Sequence, residues 1–383
     1  MGDIPPKRHT VHRDASGSRL VEELVGEEGF SDASSLLYHR RSPSALLRAD
    51  AIDDGRPPLV ALHPVVPLHL RSGDLGPDSL EADDPVLGRQ LLLGNDDVRI
   101  CAASANRSSG MYRDAMGDEL VYVQAGSASL ESSFGSLAVR AGDYVVVPAG
   151  VTHRWVLHET PLQVLVLEAS GHVRPPPRYL SESGQFLERA PYCERDIRGP
   201  DGPLITDDEG PSDVVVRTAA GLSRHTYAHH PFDVVGWDGC LYPWALSIHD
   251  FEPIVGSLHQ PPPVHQSFEG PGFVVCSFVP RPFDFHPDAV KVPYHHANVD
   301  SDEVLFYSAG EFMSRAGAGI GVGSLTVHPA GFVHGPQPGS YELSIEATRT
   351  EELAVMLDTF RPLLLTDTAR SIADPDYLQS WAR

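Results

Sequence analysis

The sequence predicts an all-β fold built from two copies of one unit, and two observations support this prediction. The 34 glycines and 34 prolines separate short runs rich in Val, Leu, Ile, Tyr and Phe, which is the pattern of short strands joined by turns. One spacing template occurs in residues 119–153 and again in residues 303–334, which indicates an internal duplication. With 383 residues, the chain is long enough for two domains that each bury a core.

Five segments are predicted to be strands because short runs of β-branched, aromatic and other apolar residues end at turn residues. In chain order they are residues 119–126, 143–150, 162–169, 272–280 and 303–310. The prolines at 175–177 and 261–263 predict extended connectors. Residues 351–360, EELAVMLDTF, carry apolar side chains at helical spacing and predict a helix near the C-terminus.

The composition and charge of the chain limit which kinds of molecule it is expected to bind. The formal net charge of -23 repels phosphate backbones and anionic lipids, so we expect a small-molecule partner rather than nucleic acid or a membrane. No uncharged apolar run approaches the ~18 residues needed to span a bilayer. The opening MGDIPPKRHT lacks the apolar core of a secretory signal, so we expect a cytoplasmic protein. The four cysteines are scattered without a CxxC pair, which argues against a disulfide framework or a zinc ribbon.

The repeat is defined by spacing rather than by identity. Glu119 and Glu303 each stand seven residues before a glycine, and each is followed by a segment with the pattern G-x5-P-x-G-x2-H. These segments end at His153 and His334, and the copies are offset by 184 residues at the glutamates and 181 at the histidines. The first glycine ends a strand at a tight turn, and P-x-G forms the next turn before a strand that carries the histidine inward.

This two-part pattern resembles the motif of the cupin superfamily, whose domains are small double-stranded β-helix barrels of the jelly-roll type. Two copies imply a bicupin with an N-terminal extension and a short C-terminal helical segment. The predicted organisation is an N-terminal extension that packs on the barrels (1–85), an N-terminal barrel (86–170), connecting strands (171–250) and a C-terminal catalytic barrel (251–383).

The resemblance to cupins also implies metal ligands, because cupin barrels take histidine and glutamate from the first motif and histidine from the second. The second copy supplies all three, as His296, Glu303 and His334. Two neutral imidazoles and one carboxylate leave three adjacent positions open on a metal, which suits iron(II). His295 competes with His296, but neighbouring side chains on a strand point to opposite faces, so only one of them can face the metal.

The first copy lacks part of this ligand set. It keeps Glu119 and His153, but residues 111–113 are Met, Tyr and Arg where the second copy has its histidine pair. We therefore expect no tightly bound metal there, and predict a structural barrel with a polar cluster of Glu119, Arg113 and His153. Catalysis is assigned to the C-terminal barrel alone.

Beyond the cupin pattern, residues 91–338 resemble the homogentisate 1,2-dioxygenase family. The matching pieces include YRDAMGDELVYVQAG in the first copy, and PFDVVGWDG, PYHHANVDSDE and HPAGFVHGP later in the chain. In that family the iron ligands are a histidine just before an x-N segment, a glutamate shortly after it and the histidine of an HGP tripeptide. By this resemblance the ligands are His296 rather than His295, Glu303 and His334.

The same resemblance implies a function. The expected activity is cleavage of the ring of a dihydroxylated aromatic acid by an iron(II) dioxygenase that inserts both atoms of O2, in a homo-oligomer. The family also has two histidines that do not bind the iron. One acts as an acid or base, and it corresponds here to His259, with His265 as the alternative. The other corresponds to His328, which would hold a substrate oxygen. Three side chains near the motif are candidates for binding the acid group of the substrate: Tyr294, Tyr307 and Arg315.

Departures from the family leave alternatives open. Ala297 stands where an arginine commonly follows the first ligand, the ligand spacing is one residue longer, and the first hundred residues do not match well. Homogentisate is therefore one candidate substrate among several. The alternatives are another metal-dependent cupin enzyme, such as an isomerase or hydrolase, and a bicupin that binds a small molecule without chemistry. Gentisate-type enzymes resemble a three-histidine site, against which Glu303 argues.

Overall fold

The computed structural model describes residues 1–71, 84–206, 208–312, 315 and 319–382, and strands dominate this part of the chain. The predicted all-β fold is confirmed. Of the predicted N-terminal extension, residues 72–83 lie outside the described residues, and the predicted domain boundaries stay a prediction. No helix in the described ranges has the length and apolar character that crossing a membrane requires.

The larger sheet forms the N-terminal barrel and has 13 strands within the described part of the chain. Its central members are the long strands β8 (Glu119–Ser132) and β11 (His153–Ala169), which pair antiparallel along most of their length. The strands are β3 (Leu46–Ile52), β5 (Gln90–Gly94), β6 (Val98–Ala105), β7 (Tyr112–Asp114), β8 (Glu119–Ser132), β9 (Gly135–Arg140), β10 (Asp143–Val147), β11 (His153–Ala169), β12 (Ile197–Arg198), β13 (Ser212–Thr218), β14 (Gly221–Tyr227), β16 (Trp244–Ser247) and β24 (Leu364–Leu365).

The second sheet forms the C-terminal barrel and has six strands. In spatial order they are β17 (Gln266–Gly270), β18 (Phe273–Phe278), β23 (Leu353–Thr359), β20 (Asp302–Ala309), β21 (Ser324–His328) and β4 (Leu68–Arg71). The N-terminal region therefore contributes β4 to this barrel, whereas its strand β3 pairs with β14 of the other barrel.

Smaller elements complete the fold. A three-stranded sheet contains β1 (Val21–Gly26), β2 (Ser34–His39) and β15 (Val234–Gly239), and a two-stranded ladder contains β19 (Arg281–Pro282) and β22 (Arg349–Thr350). Short α-helices span Ser340–Ser344 and Asp367–Ser371. The 3-10 helices are Glu28–Phe30, Pro177–Tyr179, Ile248–Asp250, Pro262–His265 and Tyr377–Ala382.

The helix predicted over residues 351–360 is wrong. Residues Leu353–Thr359 form strand β23, which lies between β18 and β20 and pairs with both. The run Leu353–Leu357 is buried at every position, because a central strand covered on both faces is apolar throughout. A continuous apolar run has no period of its own, so it also contains the spacing of a helix.

The two barrels share one hydrophobic core, and this packing sets which way β20 faces. Val304 and Phe306 belong to the core that also contains Tyr122 of the N-terminal barrel, and the Tyr122 hydroxyl lies 2.7 Å from Ser308 Oγ. Because side chains alternate along a strand, Glu303 and its i+2 neighbours project to the opposite face, into the C-terminal barrel. Each large apolar side chain buried here stabilises the fold by roughly 1.5–3 kcal/mol.

Candidate metal centre

Three side chains converge at one end of the C-terminal barrel. Possible ligand atoms of His296, Glu303 and His334 all lie within 4.8 Å of one another. Nε2 of His334 is 3.3 Å from Glu303 Oε1, and Nε2 of His296 is 3.6 Å from Glu303 Oε2. The backbones of His296 and His334 exchange two hydrogen bonds of 2.8 Å, which bring together segments that lie far apart in the sequence.

The hydrogen bonds of the two imidazoles indicate which nitrogens are free. Nδ1 of His296 lies 3.1 Å from the carbonyl oxygen of Tyr294, and Nδ1 of His334 lies 3.1 Å from that of Phe332. A carbonyl only accepts, so each Nδ1 carries the proton and each Nε2 presents a lone pair. Nε2 of His334 is buried and makes no hydrogen bond in the described structure. Two imidazole lone pairs that face a carboxylate fit a bound metal cation.

The charge of the cluster depends on Glu303. Burial raises the pKa of this carboxyl, but its contacts with His296, His328 and His334 outweigh burial and hold the pKa well below its usual value. Contact with Glu303 also raises the pKa of His296. In this arrangement Glu303 is an ionised carboxylate, and a metal that bound here would displace any proton held on His296 Nε2.

The structure brings His296, and not His295, to the other two residues. The side chain of His295 is exposed and lies against Gly335, where an added Cβ would come within 2.6 Å of His295 Nδ1. The His296 and His334 rings lie 4.3 Å apart between centroids. Only one of the two neighbouring histidines faces the cluster, as the alternation of side chains requires, and it is the one that the family resemblance implies.

His328 lies behind Glu303 and is completely buried. Its Nδ1 is 2.8 Å from Glu303 Oε1, and its Nε2 is 3.0 Å from the Tyr377 hydroxyl. Burial lowers the pKa of His328 to about 4, against the effect of Glu303. The predicted contact of His328 with substrate stays a prediction. Since both ring nitrogens already have protein partners, the arrangement better suits a residue that orients Glu303.

The two candidates for an acid or base lie in different surroundings. Nε2 of His259 is 3.4 Å from the hydroxyl of Tyr294, whose ring is 6.1 Å from that of His296. His265 is 1% exposed, packs 4.8 Å from the Phe278 ring, and both of its ring nitrogens lack a hydrogen-bond partner in the described structure. Burial lowers the pKa of His265 to about 3. Both catalytic roles stay predictions.

Of the three candidates for binding an acid group, Arg315 has the most informative contacts. Its Nη1 donates to the carbonyl oxygen of Gly335 at 2.6 Å, and its Nε donates to the Tyr307 hydroxyl at 3.1 Å. Arg315 is 7% exposed and forms no salt bridge with any carboxylate among the described residues. Tyr307 is completely buried, whereas Tyr294 is 55% exposed.

The N-terminal barrel repeats this architecture with different side chains. Tyr112 pairs with His153 across the strands β7 and β11, as His296 pairs with His334. The next turn matches as well, because Gly150 N donates to Asp114 O at 2.7 Å, and Gly331 N donates to Asn298 O at the same distance. Tyr112 therefore occupies the position of His296.

The polar cluster predicted in this barrel is partly wrong. Glu119 and His153 do face each other, with 3.8 Å between Oε2 and Nε2. Arg113 instead points to the Thr152 hydroxyl, which its Nε and Nη2 contact at 2.9 and 2.6 Å. The arginine on Glu119 is Arg89, which contacts both carboxylate oxygens. Arg89 lies outside the repeated template, so the spacing could not identify it.

Sequence reasoning also missed a carboxylate that supports each motif. Asp118 Oδ1 accepts from Ala149 N at 2.8 Å, and Asp302 Oδ1 accepts from Ala330 N at 2.9 Å. Each aspartate thus holds the P-A-G turn that leads to the motif histidine. The signal was present as the dipeptide Asp-Glu at the same place in both copies.

A second group of possible metal ligands lies outside the candidate metal centre. Glu27, Asp118 and His172 also bring ligand atoms within 4.8 Å of one another. Arg174 contacts Glu27 at 2.7 Å, and the hydrogen bond with Asp118 raises the pKa of His172. The carboxylates of this group are already paired with Arg174 and His172, so we assign no metal to it.

Comparisons with known proteins identify related sequences. The family model described as homogentisate 1,2-dioxygenase N-terminal matches residues 94–248. A protein of Saccharolobus solfataricus named as a presumed dioxygenase is 37% identical over 391 aligned positions, which cover 100% of this chain and 98% of the relative. The homogentisate 1,2-dioxygenase of Emericella nidulans is 26% identical over 68% of this chain, and that of Bradyrhizobium diazoefficiens is 24% identical over 70%.

The match to those two enzymes is partial in length. It covers 61% and 62% of the respective homogentisate 1,2-dioxygenases. Among solved structures, a cupin 2 conserved barrel domain protein from Leptotrichia buccalis is similar over 71% of this chain and 87% of its own, with 10% identity and a TM-score of 0.33.

Proposed function

This chain belongs to the homogentisate 1,2-dioxygenase-like family of cupin proteins, and from that premise we propose that it is an iron(II)-dependent dioxygenase. Its substrate would be a dihydroxylated aromatic acid, homogentisate or a relative, whose ring it cleaves with insertion of both atoms of O2. The observation that carries the proposal is the convergence of two imidazole lone pairs and the carboxylate of Glu303. This donor set is typical of iron(II) sites that keep adjacent positions open.

In this proposal His296, Glu303 and His334 hold the iron. When bound, iron(II) would supply the redox chemistry that ring cleavage by dioxygen requires. The chain's own contribution is orientation, since carbonyl oxygens fix both imidazoles and Asp302 fixes the turn before His334.

The proton of the ring hydroxyl needs an acceptor near the iron. We assign this role to His259, because its imidazole lies at the rim of the site beside the Tyr294 hydroxyl and imidazole suits proton transfer near neutral pH. His265 is a poor base at neutral pH, because burial lowers its pKa to about 3. Its two unpartnered nitrogens suit a hydrogen bond to a bound substrate instead.

The acid group of the substrate needs a cation, and Arg315 is the proposed partner. Its guanidinium is buried, contacts two neutral oxygens and forms no ion pair with a described carboxylate. A charged hydrogen bond to a carboxylate is worth about 1.5–3 kcal/mol. Arg315→Met should therefore raise KM for an acidic substrate roughly 10- to 100-fold, with a smaller effect on the neutral hydroquinone that lacks the acid. Arg349→Met, at an exposed ion pair with Glu351, is the matched control.

The decisive experiment is oxygen consumption by the anaerobically purified, iron(II)-loaded protein. Homogentisate and gentisate are the first substrates, and 18O2 should place two labelled atoms in the ring-opened product. Metal content and oxygen dependence separate this reaction from that of an isomerase or hydrolase of the same fold, which needs no oxygen. If no dihydroxylated aromatic acid supports oxygen uptake, the proposal is wrong.

A further inference from the structure

The short helix Tyr377–Ala382 packs directly behind the candidate metal centre. The Tyr377 hydroxyl is 3.0 Å from His328 Nε2, and both side chains are at most 1% exposed. The Trp381 ring packs 5.0 Å from that of Tyr377, and its Nε1 donates to Gly335 O at 3.0 Å. Gly335 directly follows His334, so this helix contacts the site at two points.

The preceding residues fasten this helix to the C-terminal barrel. Arg71 and Asp374 form a salt bridge of 2.5 Å. The backbone of Asp374 donates to His69 O at 2.8 Å, and that of Arg71 donates to Ile372 O at 2.9 Å. The segment therefore continues the edge of strand β4, and Tyr377 has a defined place relative to β21, which carries His328.

The direction of each hydrogen bond in the chain Tyr377–His328–Glu303 follows from the chemistry of its members. A carboxylate that binds a metal carries no proton, so Glu303 Oε1 accepts from His328 Nδ1. A neutral imidazole has one proton, so His328 Nε2 then has only a lone pair. The Tyr377 hydroxyl must donate to it, and by doing so it keeps the imidazole proton on the side of Glu303.

We propose that Tyr377 is a positioning residue for the metal centre: its hydroxyl selects the tautomer of His328 that donates to Glu303, and so holds the carboxylate in the orientation that binds the metal. Without this donor, His328 can turn to the tautomer that presents a lone pair to the carboxylate. The inference rests on the proposed function only in that the three ligands bind a metal. Partners that hydrogen-bond a metal ligand directly, as His328 does with Glu303, typically contribute 10- to 100-fold to metal affinity, and Tyr377 acts through that partner.

The chain's own repeat supports this inference. Val147 lies opposite Glu119 across β10 and β8, as His328 lies opposite Glu303 across β21 and β20. The barrel whose glutamate is paired with Arg89 thus has no histidine at this position. Where the glutamate faces two imidazoles, the histidine and its tyrosine partner are present.

The test is metal affinity, which does not depend on turnover. Co(II) binding to the metal-free full-length protein is measured in competition with a chelator, together with the thermal midpoint and the circular dichroism spectrum. Tyr377→Phe should bind Co(II) about 10- to 100-fold more weakly than wild type. Tyr144→Phe is the matched control, because it also removes a buried hydroxyl, 2.9 Å from Ser277 Oγ, and should leave Co(II) affinity unchanged.

A double-mutant cycle separates positioning from general destabilisation. His328→Asn keeps an N–H donor near the place of Nδ1 and has no tautomers, so adding Tyr377→Phe to it should cost little or no further affinity. His328→Val, which copies Val147 of the other barrel, should lose affinity while Tyr377 is intact. If Tyr377→Phe alone fails to fold, weaker Co(II) binding by His328→Val than by His328→Asn supports the donor to Glu303 on which the inference depends, and equal binding by these two variants overturns it.

Two outcomes would overturn the inference. One is equal Co(II) affinity in wild type and Tyr377→Phe, and the other is an equal loss from Tyr377→Phe in the wild-type and His328→Asn backgrounds. Neither outcome is evidence against the proposed ring-cleaving activity, which is tested by oxygen uptake. Conversely, a protein that binds Co(II) as expected but consumes no oxygen would overturn the proposed function and leave the role of Tyr377 standing.

Discussion

The two barrels place a pair of buried acids at the same position and provide for their charge in different ways. In the N-terminal barrel Glu119 lies opposite Glu168 on the neighbouring strand, and in the C-terminal barrel Glu303 lies opposite Asp358. Arg89 contacts both acids of the first pair. The second pair has no arginine salt bridge among the described residues, and three histidines, His296, His328 and His334, contact Glu303 instead.

This difference is visible in the acid–base behaviour of the paired residues. Burial raises the pKa of Glu168, but the hydrogen bond and charge of Arg56 outweigh it and lower the pKa to about 2. Burial and the charge of Glu303 raise the pKa of Asp358 to about 7. A buried anion requires a compensating cation. One barrel carries that cation in its own sequence, and the other leaves a place that a metal ion fits.

The largest expected contrast concerns metal binding. His334→Ala should lower Co(II) affinity by more than the roughly 100-fold that outer contacts of a metal ligand contribute, because it removes a ligand itself. His153→Ala, at the same place in the N-terminal barrel, should leave metal content and oxygen uptake unchanged. Metal analysis after purification measures both. Comparable metal loss in the two variants would break the distinction between the barrels.

The second contrast concerns stability. Arg89→Met leaves Glu119 buried without its partner, and loss of one member of a buried ion pair costs about 3–5 kcal/mol of unfolding free energy. Arg48→Met is the control, because its ion pair with Asp50 is exposed and should contribute less than about 1 kcal/mol. Urea unfolding of both variants tests this. A change below about 1 kcal/mol in Arg89→Met would show that Arg89 does not compensate the acids.

The third contrast is a pH dependence in the metal-free protein. The folded-state pKa of Asp358 is about 7 and its ordinary value is 3.8, so the folded state holds the extra proton between these values. Stability should therefore fall as pH rises from about 4 to about 7, with a slope of at most about 1.4 kcal/mol per pH unit from this group. Asp358→Asn should remove that slope in urea unfolding measured across this range.

Glu168 should give a pH dependence of stability with the opposite sign, which serves as an internal check. Its folded-state pKa of about 2 lies below its ordinary value of 4.5. It therefore contributes stability that is present above about pH 4.5 and is lost as pH falls toward 2. Glu168→Gln should flatten only this acidic window. If both substitutions altered the same window, the assignment of the two acids to different charge environments would be wrong.

The smallest expected effect tests whether a histidine at the position of Tyr112 would be enough to create a metal site in the N-terminal barrel. Tyr112→His restores an imidazole at the position of His296, but Arg89 still holds Glu119, so we expect no second metal ion per chain. Metal stoichiometry after loading with excess Co(II) provides the measurement. A second equivalent in this single variant would show that Arg89 does not block the site.

The candidate site was largely predictable because its ligands lie at fixed distances from turns. Glycine and the P-x-G segments form turns at the ends of strands, and the alternation of side chains along each strand then determines which residues face inward. These local rules predicted that Glu303 and His334 lie together and that only one of His295 and His296 joins them, whereas the choice of His296 came from the family resemblance. They failed for residues 351–360, because a strand buried on both faces is apolar at every position and so also satisfies a helical pattern.

By itself, the sequence determined the duplicated all-β architecture, the positions of the three converging side chains and the loss of a histidine in the first copy. Only the tertiary structure decided what surrounds them. Arg89 reaches Glu119 from outside the repeat, and Tyr377 reaches His328 across 49 residues of chain. The spacing of residues along the chain predicts turns and the side chains that share one face of a strand, because both depend on residues that are close in the sequence. The partners of a buried charge can come from any segment that folding brings within hydrogen-bond distance, and no local pattern records that encounter.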